Sequence, residues 1–331
     1  MHFLTLTRGE ILASCKREGR ISDTSDGILM DWSACGFSVN VRANGAVLDF
    51  APYHADQPVY IAVTADGVKQ IHALSDGVTR VVVPLTYGAH TVTVQRLSEG
   101  SSPLYCRSLR LSAPFGEEVP ALLPPPAKRS RRIVFFGDSI TCGYGNAARE
   151  TSPYLTSEQD PTAAYAWKCA ELMGADAELV SISGQGIVRN CNGVVDTPIP
   201  TFFSWQSRHL RTPHAFDGKV DYVVVNAGTN DNGGGVTDEE FHDGAKAFLL
   251  DLRAHYPQAR IVWYYGLMGA RYDGVLRALE AELSDTDASF SYLPTRTISR
   301  EKGEIGAVWH PSVEGDDRGA AELAAYLYSL S

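Results

Sequence analysis

Four short segments of this 331-residue chain hold the residues best suited to covalent chemistry: Gly137-Asp138-Ser139, Ser183-Gly184-Gln185-Gly186, Gly228-Thr229-Asn230-Asp231 and Trp309-His310-Pro311. Together they contain what acyl transfer requires. A serine hydroxyl is a weak nucleophile near neutral pH until a base within hydrogen-bond reach takes its proton, and His310 is the imidazole best placed to do so for Ser139. The tetrahedral intermediate then carries an oxyanion, for which the Ser139 amide, the Gly184 amide and the Asn230 side-chain NH2 are the candidate donors. Glycine at 184 leaves room for a substrate oxygen, and Asn230 donates without carrying charge. Asp138 and Asp231 are expected to support these loops through hydrogen bonds to the backbone. The competing structural readings are an N-cap for Ser139 and an Asx-turn for Asn230.

These segments need a scaffold that brings them together, and the periodicity of the chain predicts one. Strand-like and helix-like runs alternate from residue 131 onward: Ile133 to Phe136, Ala163 to Met173, Leu179 to Ile182, Tyr222 to Asn226, Glu239 to His255, Ile261 to Leu267, Gly274 to Leu283, Phe290 to Pro294 and Gly315 to Leu330. Such alternation predicts a three-layer α/β/α domain with a parallel sheet over 131–331. Three segments directly follow a predicted strand and the fourth precedes the last helix, so all four open on the crevice outside the carboxyl edge of the sheet. Residues 20 to 115 alternate with a period of two instead. Asn44-Gly45, Asp66-Gly67 and Gly88-Ala89 each separate two such runs and read as hairpin turns. A β-sandwich of jelly-roll type is therefore expected over 1–123, joined by the proline-rich linker 124–130.

Ser139, Gly184, Asn230 and His310, in that order, resemble the SGNH (GDSL-type) hydrolase superfamily over residues 131 to about 325. The longer string Gly137-Asp138-Ser139-Ile140-Thr141-Cys142-Gly143-Tyr144-Gly145-Asn146 looks like carbohydrate esterase family 2. So do the β-rich first half, Asp31-Trp32-Ser33 within Gly27 to Phe50, and Thr197-Pro198-Ile199-Pro200-Thr201-Phe202-Phe203. This resemblance implies a serine esterase that removes O-acetyl groups from plant-type polysaccharides or their oligosaccharides, such as xylan or glucomannan fragments, often at the 6-OH. One position departs from the superfamily pattern: Ala307 stands three residues before His310, where an aspartate commonly orients the imidazole. Some family 2 esterases resemble the superfamily without that aspartate and run on a Ser-His dyad. Trp309 is the expected substitute here, by packing over the site or by offering its carbonyl to the ring Nδ1-H, with Glu304 and Asp316 as alternative third members. Trp309, Trp205 and Tyr144 are the candidate aromatic platform for a sugar. Two other functions compete: a general acylhydrolase or thioesterase on non-sugar acyl substrates, and a carbohydrate-binding protein without catalysis.

A net charge of −10 argues against nucleic acid or an anionic membrane as partner, because the one basic cluster, Lys128, Arg129, Arg131 and Arg132, is short. No run approaches the ~18 apolar residues needed to cross a bilayer. Met1 to Glu10 lacks a basic region followed by an apolar stretch, so the expected location is the cytoplasm. Six cysteines, Cys15, Cys35, Cys106, Cys142, Cys169 and Cys191, show neither a Cys-x-x-Cys nor a histidine at ligand spacing. No disulfide framework, metal or cofactor is expected from them, and Cys142 reads as a buried thiol rather than the nucleophile.

Overall fold

The computed structural model describes residues 1–53 and 55–330, which divide into two compact units. One comprises Met1–Lys128 together with Gln206–Thr212, the other Arg129–Trp205 and the chain from Pro213 onward. This partition departs from the sequence boundaries at two places. The start of the proline-rich stretch stays with the first unit, where Leu123 N donates to Asn40 O at 2.8 Å and Asn40 Nδ2 to Pro124 O at 2.8 Å. Residues 206–212, expected in the second half, also join the first unit. The buried Asp31 carboxylate accepts from Ser207 Oγ at 2.6 Å and His209 N at 3.0 Å, and Trp32 Nε1 donates to Gln206 O at 3.1 Å.

The first unit carries β1 (His2–Leu6), α1 (Arg8–Ala13), β2 (Lys16–Glu18), β3 (Ser22–Thr24), β4 (Gly27–Leu29), β5 (Gly36–Pro52), β6 (Val59–Ala65), β7 (Val68–Leu74), β8 (Thr79–Arg96), β9 (Leu104–Ala113) and β10 (Ala121–Leu122). All ten strands form one antiparallel sheet built on the long strands β5 and β8, in the order β3-β4-β9-β5-β8-β6-β7, with β1 on β9 and β2 and β10 on β5. Asp66-Gly67 makes the expected hairpin, both residues at positive φ between paired Ala65 and Val68. Asn44-Gly45 and Gly88-Ala89 do not. Both lie inside continuous strands and nearly opposite one another, where the register of β5 on β8 jumps between Ala43/Gly88 and Gly45/Pro84. The physical reason is visible in the burial. Phe37, Val39, Val41 and Ala43 face inward at odd positions, then Ala46, Leu48 and Phe50 at even ones. An extra residue at a bulge shifts the phase and keeps the apolar side turned to the core.

The second unit contains β11 (Arg131–Gly137), α2 (Ser139–Cys142), α3 (Tyr165–Leu172), β12 (Ala175–Ser181), α4 (Ile199–Phe202), β13 (Tyr222–Asn226), α5 (Thr229–Gly233), α6 (Asp238–His255), β14 (Arg260–Tyr265), α7 (Asp273–Leu283), β15 (Phe290–Pro294) and α8 (Val313–Ser329). Its five strands are parallel in the order β12-β11-β13-β14-β15. Side chains alternate across a strand, so neighbouring aromatics report the two faces. On β11, Phe135 meets Tyr165 of α3 while Phe136 meets Phe248 of α6. On β14, Trp263 meets Phe241 of α6 while the Tyr264 hydroxyl donates to Gly319 O of α8. Helices therefore cover both faces, and each buried aromatic contributes roughly 1.5–3 kcal/mol. The chain leaves β11 for β12 on one side and returns to β13 on the other. That reversal opens a crevice at the carboxyl end of β11, where Ser139 follows.

Candidate active site

Ser139 begins α2 and is nearly buried. Gly137 must be glycine, since a Cβ there would lie 2.1 Å from Thr141 Oγ1 and 3.0 Å from Asn226 O. The N-cap is Asp138, not Ser139: Asp138 Oδ1 accepts from Ile140 N at 3.0 Å. The serine hydroxyl is thereby left for another partner. Cys142 is buried with its thiol on Ser181 Oγ at 3.1 Å.

That partner is His310, whose Nε2 lies 2.7 Å from Ser139 Oγ. Its other nitrogen, Nδ1, is 3.0 Å from Val308 O. A carbonyl only accepts, so Nδ1 carries the proton and Nε2 is the free acceptor for the serine hydroxyl. Burial holds the imidazole below its ordinary pKa, against hydrogen bonds to the Val308 and Ala307 carbonyls that raise it. The Trp309 carbonyl was the expected partner, and Val308 supplies it instead. Both residues occupy the left-handed region, with φ 52° at Val308 and 63° at Trp309, which folds the chain back so that the Val308 carbonyl meets the ring two residues on. For a β-branched valine this conformation costs on the order of 1–3 kcal/mol. The turn is docked by backbone: Gly306 N donates to His310 O at 2.8 Å and Ala307 N to Gly145 O at 3.0 Å. A Cβ on Gly145 would sit 2.9 Å from Ala307 Cβ, and one on Gly306 2.6 Å from Gly145 O.

Neither alternative third member reaches the imidazole. Glu304 is buried with its carboxylate on Arg296 Nη1 at 2.7 Å, Ser299 N at 2.9 Å and the Arg318 guanidinium at 3.3 Å. Its hydrogen bonds from Arg296, then Ser299, hold its pKa at about 2. Asp316 accepts from Asn146 Nδ2 and Tyr165 N, each at 3.0 Å, and complete burial pushes its pKa up to about 8. Ala307 is itself buried against Gly145.

On the opposite side, Gly184 has φ 81° and its carbonyl accepts from Cys191 N at 2.9 Å. The loop it opens is tied down by Asp231, whose buried carboxylate accepts from Ile187 N at 2.9 Å, Val188 N at 2.7 Å and Arg189 N at 3.2 Å. Burial raises the Asp231 pKa against those three bonds. Asn230, next to it on α5, donates through Nδ2 to Asp138 Oδ2 at 2.8 Å and to Gln185 O at 2.9 Å. Both hydrogens of the expected oxyanion donor thus already have acceptors inside the protein, which the sequence did not signal.

Of the three aromatic candidates, Tyr144 meets the His310 ring and Trp309 precedes His310 in the chain. Tyr144 lies 4.6 Å from the imidazole, centroid to centroid, and stacks on Tyr154 at 3.8 Å. Trp309 is 60% exposed, and the Arg300 guanidinium lies 4.8 Å from its ring centroid, held there by Glu150. Trp205 is placed differently, in an isolated antiparallel bridge with Pro213. Two features escaped the sequence reading. The Val308 carbonyl left no trace because any residue supplies a carbonyl, and Tyr154 falls in a loop without periodicity.

The model of the family described as GDSL-like Lipase/Acylhydrolase matches residues 135–318. The chain is 28% identical over 304 residues to Cellulase/esterase CelE of Acetivibrio thermocellus, a match covering 87% of this chain and 35% of that protein. It is 29% identical over 232 residues to an Acetylxylan esterase / glucomannan deacetylase of Cellvibrio japonicus, covering 68% of this chain and 62% of the relative. The chain thus spans less than two thirds of the length of either relative. Among solved structures, a family two carbohydrate esterase from Clostridium thermocellum in complex with cellohexaose shares the fold, with a TM-score of 0.84, 22% identity, and coverage of 96% of this chain and 99% of that one.

Proposed function

Because the chain belongs to the GDSL-like lipase/acylhydrolase family, we propose that it is a serine esterase removing O-acetyl groups from acetylated plant-type oligosaccharides or polysaccharides, xylan or glucomannan fragments, through a Ser139-His310 dyad. One observation carries this reading: Ser139 Oγ lies 2.7 Å from the unprotonated Nε2 of an imidazole whose Nδ1-H is held by Val308 O. His310 takes the hydroxyl proton as Oγ attacks the acetyl carbonyl. The oxyanion falls to the Ser139 and Gly184 amides and to Asn230. No acceptor for the Gly184 N–H occurs among the described residues, so that donor is open to substrate. Each such donor is worth ~2.7–4 kcal/mol to the transition state. Collapse breaks the C–O bond to the sugar, which leaves with the proton returned from Nε2. Water then gives a proton to His310 and attacks the acetyl-serine, and acetate departs as Ser139 regains its hydrogen.

The sugar class is supported by the names of the two relatives, one a cellulase/esterase and the other an acetylxylan esterase / glucomannan deacetylase. Tyr144 and the exposed Trp309 offer rings for a pyranose beside the base, and we retain Trp205 as an outlying contact. The first unit, with its paired bulges in β5 and β8, is read as a jelly-roll sandwich. Acetate release from defined acetylated xylo-, manno- and gluco-oligosaccharides tests the proposal. Release that vanishes in Ser139→Ala supports it. Faster cleavage of long-chain p-nitrophenyl esters or thioesters, with the sugars untouched, would replace it by a general acylhydrolase.

A further inference from the structure

Asp138 is fully buried, and its two oxygens serve different partners. Oδ1 caps α2 on Ile140 N, while Oδ2 takes one hydrogen of the Asn230 amide at 2.8 Å. The other hydrogen is on Gln185 O at 2.9 Å. An amide nitrogen carries two hydrogens and no third, so Asn230 serves an oxyanion only by sharing one of these two contacts. A flipped amide would set Asn230 Oδ1 against Asp138 Oδ2 and Gln185 O, oxygen facing oxygen. Two acceptors on one nitrogen therefore determine which end of Asn230 faces the nucleophile turn.

We infer, on the esterase reading above, that Asp138 is a positioning residue acting through Asn230: one carboxylate sets the nucleophile helix with Oδ1 and orients the oxyanion donor with Oδ2. Asp231 works in parallel by fixing the loop that carries Gly184 and Gln185. Consecutive residues of α5 thus hold both sides of the site.

Asp138→Ser separates the two tasks. Serine is a good N-cap and keeps the bond to Ile140, but its side chain is too short to hold Asn230. With an acetylated oligosaccharide as substrate, Asp138→Ser is expected to lower kcat about 10²-fold with KM nearly unchanged, and to melt close to the wild type. Asn230→Ala is expected to lose 10²–10³-fold in kcat. The double variant D138S/N230A should then match Asn230→Ala alone, because the two residues form one chain of action. Wild-type kcat in Asp138→Ser, or losses that multiply in the double variant, would overturn the inference. An unchanged rate in Ser139→Ala is a separate result and would overturn the esterase reading instead. Should Asp138→Ser fail to fold, Asp138→Asn gives the same test, since its amide nitrogen would face that of Asn230 while its oxygen caps Ile140.

Discussion

The loop that carries Ser139 and the loop that carries His310 reach the same 2.7 Å contact by opposite means. Around Ser139, side chains do the holding: Asp138 caps the helix, and Asn230 and Asp231 tie the neighbouring loops. Around His310 the backbone does it, through the Val308 carbonyl, two left-handed residues and the docking of Gly306 and Ala307 on Gly145. Side-chain positioning writes itself into residue types. Backbone positioning leaves only glycines and a small residue where an aspartate is usual.

The comparison can be broken most sharply at the imidazole. On the proposed dyad, His310→Ala is expected to lower kcat for acetate release ~10⁴-fold or more, the scale seen when a serine hydrolase loses its base. Next in size is Gly145→Ala. Its Cβ would press on Ala307 and occupy a left-handed φ, so a drop of roughly 10²-fold in kcat from a displaced His310 is expected, with about 1–2 kcal/mol of stability lost on thermal melting. A wild-type rate there would mean that the backbone docking does not set the base. The acid limb of kcat/KM gives a third check. Burial lowers the His310 pKa, so the base stays neutral to lower pH, and the half-point of that limb should fall below the ordinary 6.5.

Carboxylates distant from the imidazole should matter least to the rate. Glu304→Gln and Asp316→Asn are expected to keep kcat within a few-fold, and a loss near 10⁴-fold in either would expose a hidden third member. Asp316 has a separate signature in stability. Its carboxyl titrates near 8 in the fold against an ordinary 3.8. Between those values the folded chain keeps a proton that the unfolded chain has released, so its contribution is present below the lower value and is lost as pH rises through the upper. The melting temperature of the wild type should carry a downward component from pH 5 to 9 that Asp316→Asn removes. The smallest effect is expected from Val308→Gly, which keeps the carbonyl and relieves the left-handed valine: melting within about 1 kcal/mol of the wild type and kcat within a few-fold.

The same contrast explains what could be read from the chain beforehand. The parallel sheet and its order of strands and helices were legible because apolar runs such as Val223-Val224-Val225 leave little choice of environment. The Ser139-His310 contact was legible because only certain residue types can do that chemistry. The roles of Asn44-Gly45 and Gly88-Ala89 were not. They share their turn chemistry with Asp66-Gly67, but a reversal and a bulge differ in what the flanking strands pair with, which local sequence does not hold. The cue was a change of parity, from Phe37, Val39 and Val41 to Leu48 and Phe50. Val308 lay beyond reach for a different reason: its contribution is an atom common to all residues.

Synthesis of the chain meets an unusual delay in the first unit. Its last long strand ends at Ala113, yet the buried Asp31 takes hydrogen bonds from Ser207 and His209, and Trp32 donates to Gln206. At ~5–20 residues per second, the ribosome delivers those partners roughly ten seconds after the strands that await them. Until then a carboxylate destined for the interior lacks two of its donors. The first unit therefore completes itself only while the α/β unit is already being made, and severing the chain within its proline-rich stretch would leave residues 206–212 of the first unit on the other piece.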